Sequence, residues 1–193
     1  MAELLLFLGD IKGTKSALAC FGGEGRSTLE QRIERLQDDF AASFRAYKPR
    51  SRSLVGVTLS DSVLAYWTDA VEGKRFALDF MLTLWRRLHP TQLRFRGFLD
   101  IGECVDETSV ISHVLSATDP SFLKLLPSGL AAWSVTVAEA SHFPDGLFVS
   151  ERLSTEMRGD LFEAGTFHAG PFQYRKVRVA GQTAVSAPTG LIR

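Results

Sequence analysis

Two aspartates, Asp10 and Asp61, stand where carboxylates could meet a ligand. Asp10 ends the run Leu4-Leu5-Leu6-Phe7-Leu8-Gly9 and is followed by Ile11-Lys12-Gly13-Thr14. The apolar run predicts a strand buried on both faces. Asp10 then lies at its carboxyl end, the edge at which open sheets bind ligands. Gly13 lets the backbone approach an anion, and Thr14 and Lys15 add a hydroxyl and a charge, the makings of a phosphate loop. Asp61 is expected at the tip of a hairpin formed by residues 54–58 and 62–67. Either aspartate alone is also what caps a turn. As a pair on neighbouring strands they should project from the same edge of the sheet.

The elements that must position this pair follow in order. Ser27-Thr28-Leu29-Glu30 reads as a capping box opening a helix. Leu29, Ile33, Leu36, Phe40 and Phe44 make its apolar stripe, and Tyr47-Lys48-Pro49 stops it. After the hairpin, a second helix spans about 73–88, with Phe76, Phe80, Leu84 and Leu88 on one stripe and Pro90 beyond its end. Residues 93–104 alternate as a strand. The first hundred residues thus spell β-α-β-β-α-β, an α+β, ferredoxin-like core in which the first strand neighbours the hairpin. Additions follow: an irregular stretch over 106–128, a short helix over 130–140, a strand over 146–150, and a last hairpin of 172–179 with 182–185.

Composition limits the function classes. The 193 residues, 45% of them apolar, predict a single domain over 1–193 with a sizeable core. Lys plus Arg and Asp plus Glu number 22 each, so no global basic field attracts nucleic acid, and an anionic ligand must be met by local charges. Cys20 and Cys104 have no metal-site spacing, and the four histidines have none either. The N-terminal apolar run is too short to span a membrane, so the expectation is a soluble protein of the reducing cytoplasm.

In their order and spacing these residues resemble the class III nucleotidyl cyclases over nearly the whole chain. Phe7 to Thr14 is similar to that family's first-strand motif, and Leu59 to Trp67 to its metal-binding hairpin, with Ser60 where glycine is usual. Arg96 to Gly102 has the spacing of its fourth strand, and Ser134 to Ala138 stands where its transition-state helix belongs. The resemblance implies that Asp10, Asp61 and the carbonyl of Ile11 hold two Mn²⁺ or Mg²⁺ ions per site. It implies attack of a ribose 3′-hydroxyl on the α-phosphorus of a nucleoside triphosphate, with diphosphate leaving. It also implies a homodimer, because such sites form between two domains.

Three departures qualify the resemblance. Val57 stands where purine cyclases place a base-reading lysine, and Thr136 and Ala140 stand where the family has asparagine and arginine. The chain is therefore most similar to the stand-alone pyrimidine cyclases of bacterial Pycsar anti-phage systems, which implies conversion of UTP to cyclic UMP for a responsive effector. A cyclic CMP synthase and a catalytically silent, dimeric nucleotide-binding module are the alternatives.

Substrate-binding candidates complete the set. Lys12, Gly13 and Thr14 are candidates for phosphate contact, with a solvated loop lysine as the alternative for Lys12, and Lys124, Arg175 and Lys176 read either as further cations for the phosphates or as plain surface charges. Arg96 reads either as a structural salt bridge or as a nucleotide contact. Tyr47 and Thr136 are pocket candidates, Tyr47 as an aromatic that could stack on a base.

Overall fold

A computed structural model describes residues 2–12, 23–91, 93–104 and 129–179. Strand β1 (Ala2–Ile11), helix α1 (Gly23–Tyr47), the hairpin β2 (Leu54–Leu59) and β3 (Ser62–Trp67), helix α2 (Ala70–Leu88) and strand β4 (Phe95–Cys104) form the core. After it come α3 (Leu130–Ala140), β5 (Gly146–Ser150), the single turn α4 (Glu151–Ser154), β6 (Phe167–Ala169) and β7 (Phe172–Lys176). The strands form one sheet in the order β2-β3-β1-β4-β5-β7-β6. Its first four strands have the ferredoxin-like arrangement expected from the sequence, antiparallel throughout. β5 then adds parallel to β4, and β7 and β6 follow antiparallel. No helix among the described residues is long and apolar enough to cross a membrane.

The sheet is covered on both faces, which is why β1 reads as a continuous apolar run. Leu5, Phe7 and Ile11 face α1 and α2, while Leu4, Leu6 and Leu8 face the side of α3, with Ala131, Val135 and Ala138. Phe80 of α2 is the hub of the first layer. Phe7, Phe40, Tyr47 and Trp67 each meet its ring edge-on at centroid distances of 5.6–6.0 Å. Such pairs add about 0.5–1.5 kcal/mol each beyond area burial.

Several element boundaries differ from the sequence-based expectation. α1 begins at Gly23, so Ser27 to Glu30 lie inside the helix rather than opening it. α2 begins at Ala70, capped by Asp69, whose carboxylate accepts from the backbone N–H groups of Val71 and Glu72. Gly73 is a contact rather than a boundary: a Cβ there would lie 2.9 Å from the Cβ atoms of Leu5 and Trp67, so glycine lets the helix sit close on the sheet. Among the described residues β7 pairs with β6, and the expected partner segment 182–185 lies outside the described residues.

Candidate active site

Register alone builds the centre of the site. Asp10 of β1 lies opposite Ser62 of β3 on one side and Arg96 of β4 on the other, and Arg96 lies opposite Gly146 of β5. A single row across four strands thus carries Ser62, Asp10 and Arg96 on the α3 face of the sheet. Asp61 occupies the two-residue turn just before Ser62. Its carbonyl accepts from the Ile11 N–H at 3.1 Å, and Gln37 of α1 donates to the Ser60 carbonyl at 3.0 Å. The hairpin tip is therefore tied both to the end of β1 and to α1. Ser60 has φ 46°, in the left-handed region, which accounts for a glycine being the easier residue there.

Asp10 is 5% exposed and Arg96 7%. Arg96 Nη2 donates to Asp10 Oδ2 at 2.8 Å, while Ser62 Oγ stands 3.4 Å from Oδ1. Burial pushes the Asp10 carboxyl above its ordinary range. The Arg96 hydrogen bond pulls it back down, and the nearby charges of Glu139 and Asp61 push it up. Arg96 also donates from Nη1 to the Ser141 carbonyl at 2.8 Å and passes 5.9 Å over the Phe98 ring.

Further charges ring this centre. Lys12 Nζ is 4.0 Å from Asp145, and Arg94 Nε donates to the same carboxylate at 3.2 Å. Burial is the first cause that pushes the Lys12 ammonium down, with Arg96 and Arg94 adding to it against Asp145. Lys176 lays its aliphatic chain against Gly146 and pairs with Glu163 at 3.1 Å. This edge therefore concentrates carboxylates for cations and cations for phosphates within one small region.

Of the residues singled out from sequence, Asp10, Ile11, Lys12, Asp61 and Arg96 are brought together at this edge. Gly13, Thr14, Lys15 and Lys124 lie outside the described residues. Tyr47 is elsewhere, and its expected place in the pocket is corrected: it is buried between α1 and α2, its hydroxyl bonded to Asp79 and Thr83. Position 47 continues the Leu36–Phe40 stripe by two helical turns, which is why it packs inward. Thr136 is exposed on α3 and donates to the Ala132 carbonyl at 2.8 Å. Trp133 is 56% exposed and meets the Phe172 ring edge-on at 4.9 Å, so it does not belong to the core. Arg175 stacks over Phe162 at 4.8 Å. Arg94, Glu139 and Asp145 also reach this edge, although the sequence assigns none of them a role there. Only Arg94 carried a signal, its two-residue spacing from Arg96 on an extended chain.

The donors fit a hard divalent ion. Asp10 and Asp61 supply oxygen only, and the Asp10 carboxylate, buried and pushed up by neighbouring acids, gains from any added positive charge. The described residues contain no cluster of three or more histidines, cysteines or acids of metal-site type, so remaining positions would fall to backbone, water or phosphate oxygens.

No protein-family model and no curated protein sequence matches the chain. Solved structures do. The guanylyl cyclase Cya2 aligns with TM-score 0.59 at 8% identity over 91% of both chains. Adenylate cyclases from Trypanosoma brucei in their monomeric state align with TM-score 0.61 at 11% identity, over 95% of this chain and 93% of theirs. The non-canonical dimeric guanylyl cyclase domain of the RhoGC fusion protein from the aquatic fungus Blastocladiella emersonii gives 0.56 at 10% identity, over 92% and 96%. At such identities the likeness speaks for architecture, and on that ground the chain has the catalytic-domain fold of the nucleotidyl cyclases.

Proposed function

We propose that the chain is a metal-dependent pyrimidine nucleotide cyclase that converts UTP to 3′,5′-cyclic UMP and diphosphate. The observation that carries the reading is the meeting of Asp10 and Asp61 at one sheet edge, ringed by Lys12, Arg94 and Arg96, on a fold shared with guanylyl and adenylyl cyclases. Asp10, Asp61 and the Ile11 carbonyl would hold two Mn²⁺ or Mg²⁺ ions, which lower the pKa of the attacking hydroxyl and neutralise the leaving diphosphate. Lys12 and Arg94, both near Asp145, are placed to receive phosphate oxygens, and Arg96 balances the buried Asp10. A pyrimidine is favoured by Val57, which is half-buried among apolar neighbours and offers no polar atom to a purine edge.

The site is completed in this reading by a second copy. Leu130 and Trp133 are exposed large apolar residues on α3, and Thr136 lies on the same helix. A homodimer covering this face would bring Thr136 of one copy to the metal edge of the other. The role in anti-phage defence, with the cyclic product acting on an effector, follows from the sequence resemblance. A second reading, a silent nucleotide-binding module, draws on Thr136 being engaged within its own helix. Incubation with each of the four nucleoside triphosphates and Mn²⁺, with products resolved by chromatography, decides between them. Cyclic UMP supports the proposal, cyclic CMP moves the substrate to CTP, and binding without any cyclic product supports the silent module.

A further inference from the structure

Arg96 faces two carboxylates with one nitrogen. Its Nη2 lies 2.8 Å from Asp10 Oδ2 and 3.8 Å from Glu139 Oε1, so one acceptor is engaged and the other stands just beyond hydrogen-bond reach. Nη1 is anchored to the Ser141 carbonyl, and Nε is buried without a hydrogen-bond partner. The guanidinium is thus pinned at one corner and free to choose at another. Glu139 belongs to the last turn of α3, and Ser141 follows directly, where unpaired helix carbonyls also favour a cation.

An oxygen that accepts from a guanidinium at this distance is poorly placed to bind a divalent ion as well, because two cations on one carboxylate oxygen repel. Resting on the reading of Asp10 as a metal ligand, we propose that Arg96 is a two-position latch. In one position it holds Asp10 Oδ2. In the other Nη2 passes to Glu139, with Nη1 still on Ser141, and the Asp10 carboxylate is released and would be available to a metal ion. Glu139 is then a positioning residue for the metal carboxylate. Because it sits one turn after Thr136 on α3, the latch also ties the metal state of one site to the helix proposed to complete the other.

The test is Mn²⁺ affinity of the purified, nucleotide-free protein, read from the EPR signal of free Mn²⁺. Glu139→Asp is the decisive variant: it keeps the charge but draws the carboxylate back by one methylene from a nitrogen already out of range. The latch predicts Mn²⁺ binding weakened about tenfold or more by Glu139→Asp, the range seen when outer partners of metal ligands are lost. In an Arg96→Met background, where nothing needs to be moved, the same substitution should have almost no effect. Unchanged affinity in Glu139→Asp would overturn the latch, as would equal weakening in both backgrounds. Should Arg96→Met fail to fold, Glu139→Asp decides alone. Asp10→Asn separates the two levels: Mn²⁺ binding indifferent to Asp10→Asn overturns the metal reading and the latch together, whereas Asp10-dependent binding with an unaffected Glu139→Asp overturns the latch only.

Discussion

Replacing Arg96 by methionine should destabilise the fold in a pH-dependent way. The substitution leaves Asp10, 5% exposed, without the guanidinium hydrogen-bonded to it, while Glu139 and Asp61 remain nearby. Breaking a buried pair by removing one partner costs about 3–5 kcal/mol. Asp10 already binds its proton more tightly than an ordinary aspartate, and losing Arg96 removes both influences that hold its pKa down. A carboxylate raised in the folded state contributes stability that is complete below its unfolded pKa and is lost as pH rises through the folded value. The penalty of Arg96→Met should therefore be largest near pH 8. It should shrink on acidification toward the raised pKa of Asp10, by at most about 1.4 kcal/mol per pH unit. Urea denaturation of wild type and variant from about pH 5 to pH 8 measures this, and adding Asp10→Asn should recover most of the loss. A penalty below about 1 kcal/mol, or one that neither varies with pH nor yields to Asp10→Asn, would refute the reasoning.

Three other outcomes follow from the packing and the proposed assembly. Gly9→Ala would put a Cβ 2.5 Å from Phe95 Cζ, so it should cost about 1–3 kcal/mol, seen as a lowered thermal midpoint. Tyr47→Phe removes the hydroxyl bonded to Asp79 and Thr83 and should lower stability by about 1–2 kcal/mol while leaving nucleotide affinity, measured by calorimetry, as in wild type. If sites are shared between copies, mixing Asp10→Asn with Thr136→Arg protein, each inactive alone, should restore part of the activity. No recovery despite subunit exchange shown by mass spectrometry would exclude shared sites.

The core topology was legible because its signals are local. An apolar run ended by Asp10, the stripes of α1 and α2, and a hairpin with Asp61 at its tip suffice to order β1 to β4. Their register then places Asp10 beside Ser62 and Arg96 without further information. Glu139 and Asp145 were not legible, because their relation to Arg96 and Lys12 depends on how α3 and the start of β5 lie against β4, contacts distant in sequence. β6 was not legible for another reason: three residues are too few for alternation to show. Tyr47 shows the opposite error, a chemically suggestive side chain whose helical period already assigned it to the core.

The most direct test of the central claim counts products from UTP with Mn²⁺ for wild type, Asp10→Asn and Asp61→Asn side by side. Wild type should release one diphosphate for each cyclic UMP formed. Both asparagine variants should lose the two products together, by orders of magnitude; Asp61→Asn should do so at nearly unchanged melting temperature, whereas Asp10→Asn should also melt lower, because it takes the paired carboxylate from the buried Arg96. Diphosphate without cyclic nucleotide, or cyclic product formed equally well without either carboxylate, would contradict the account.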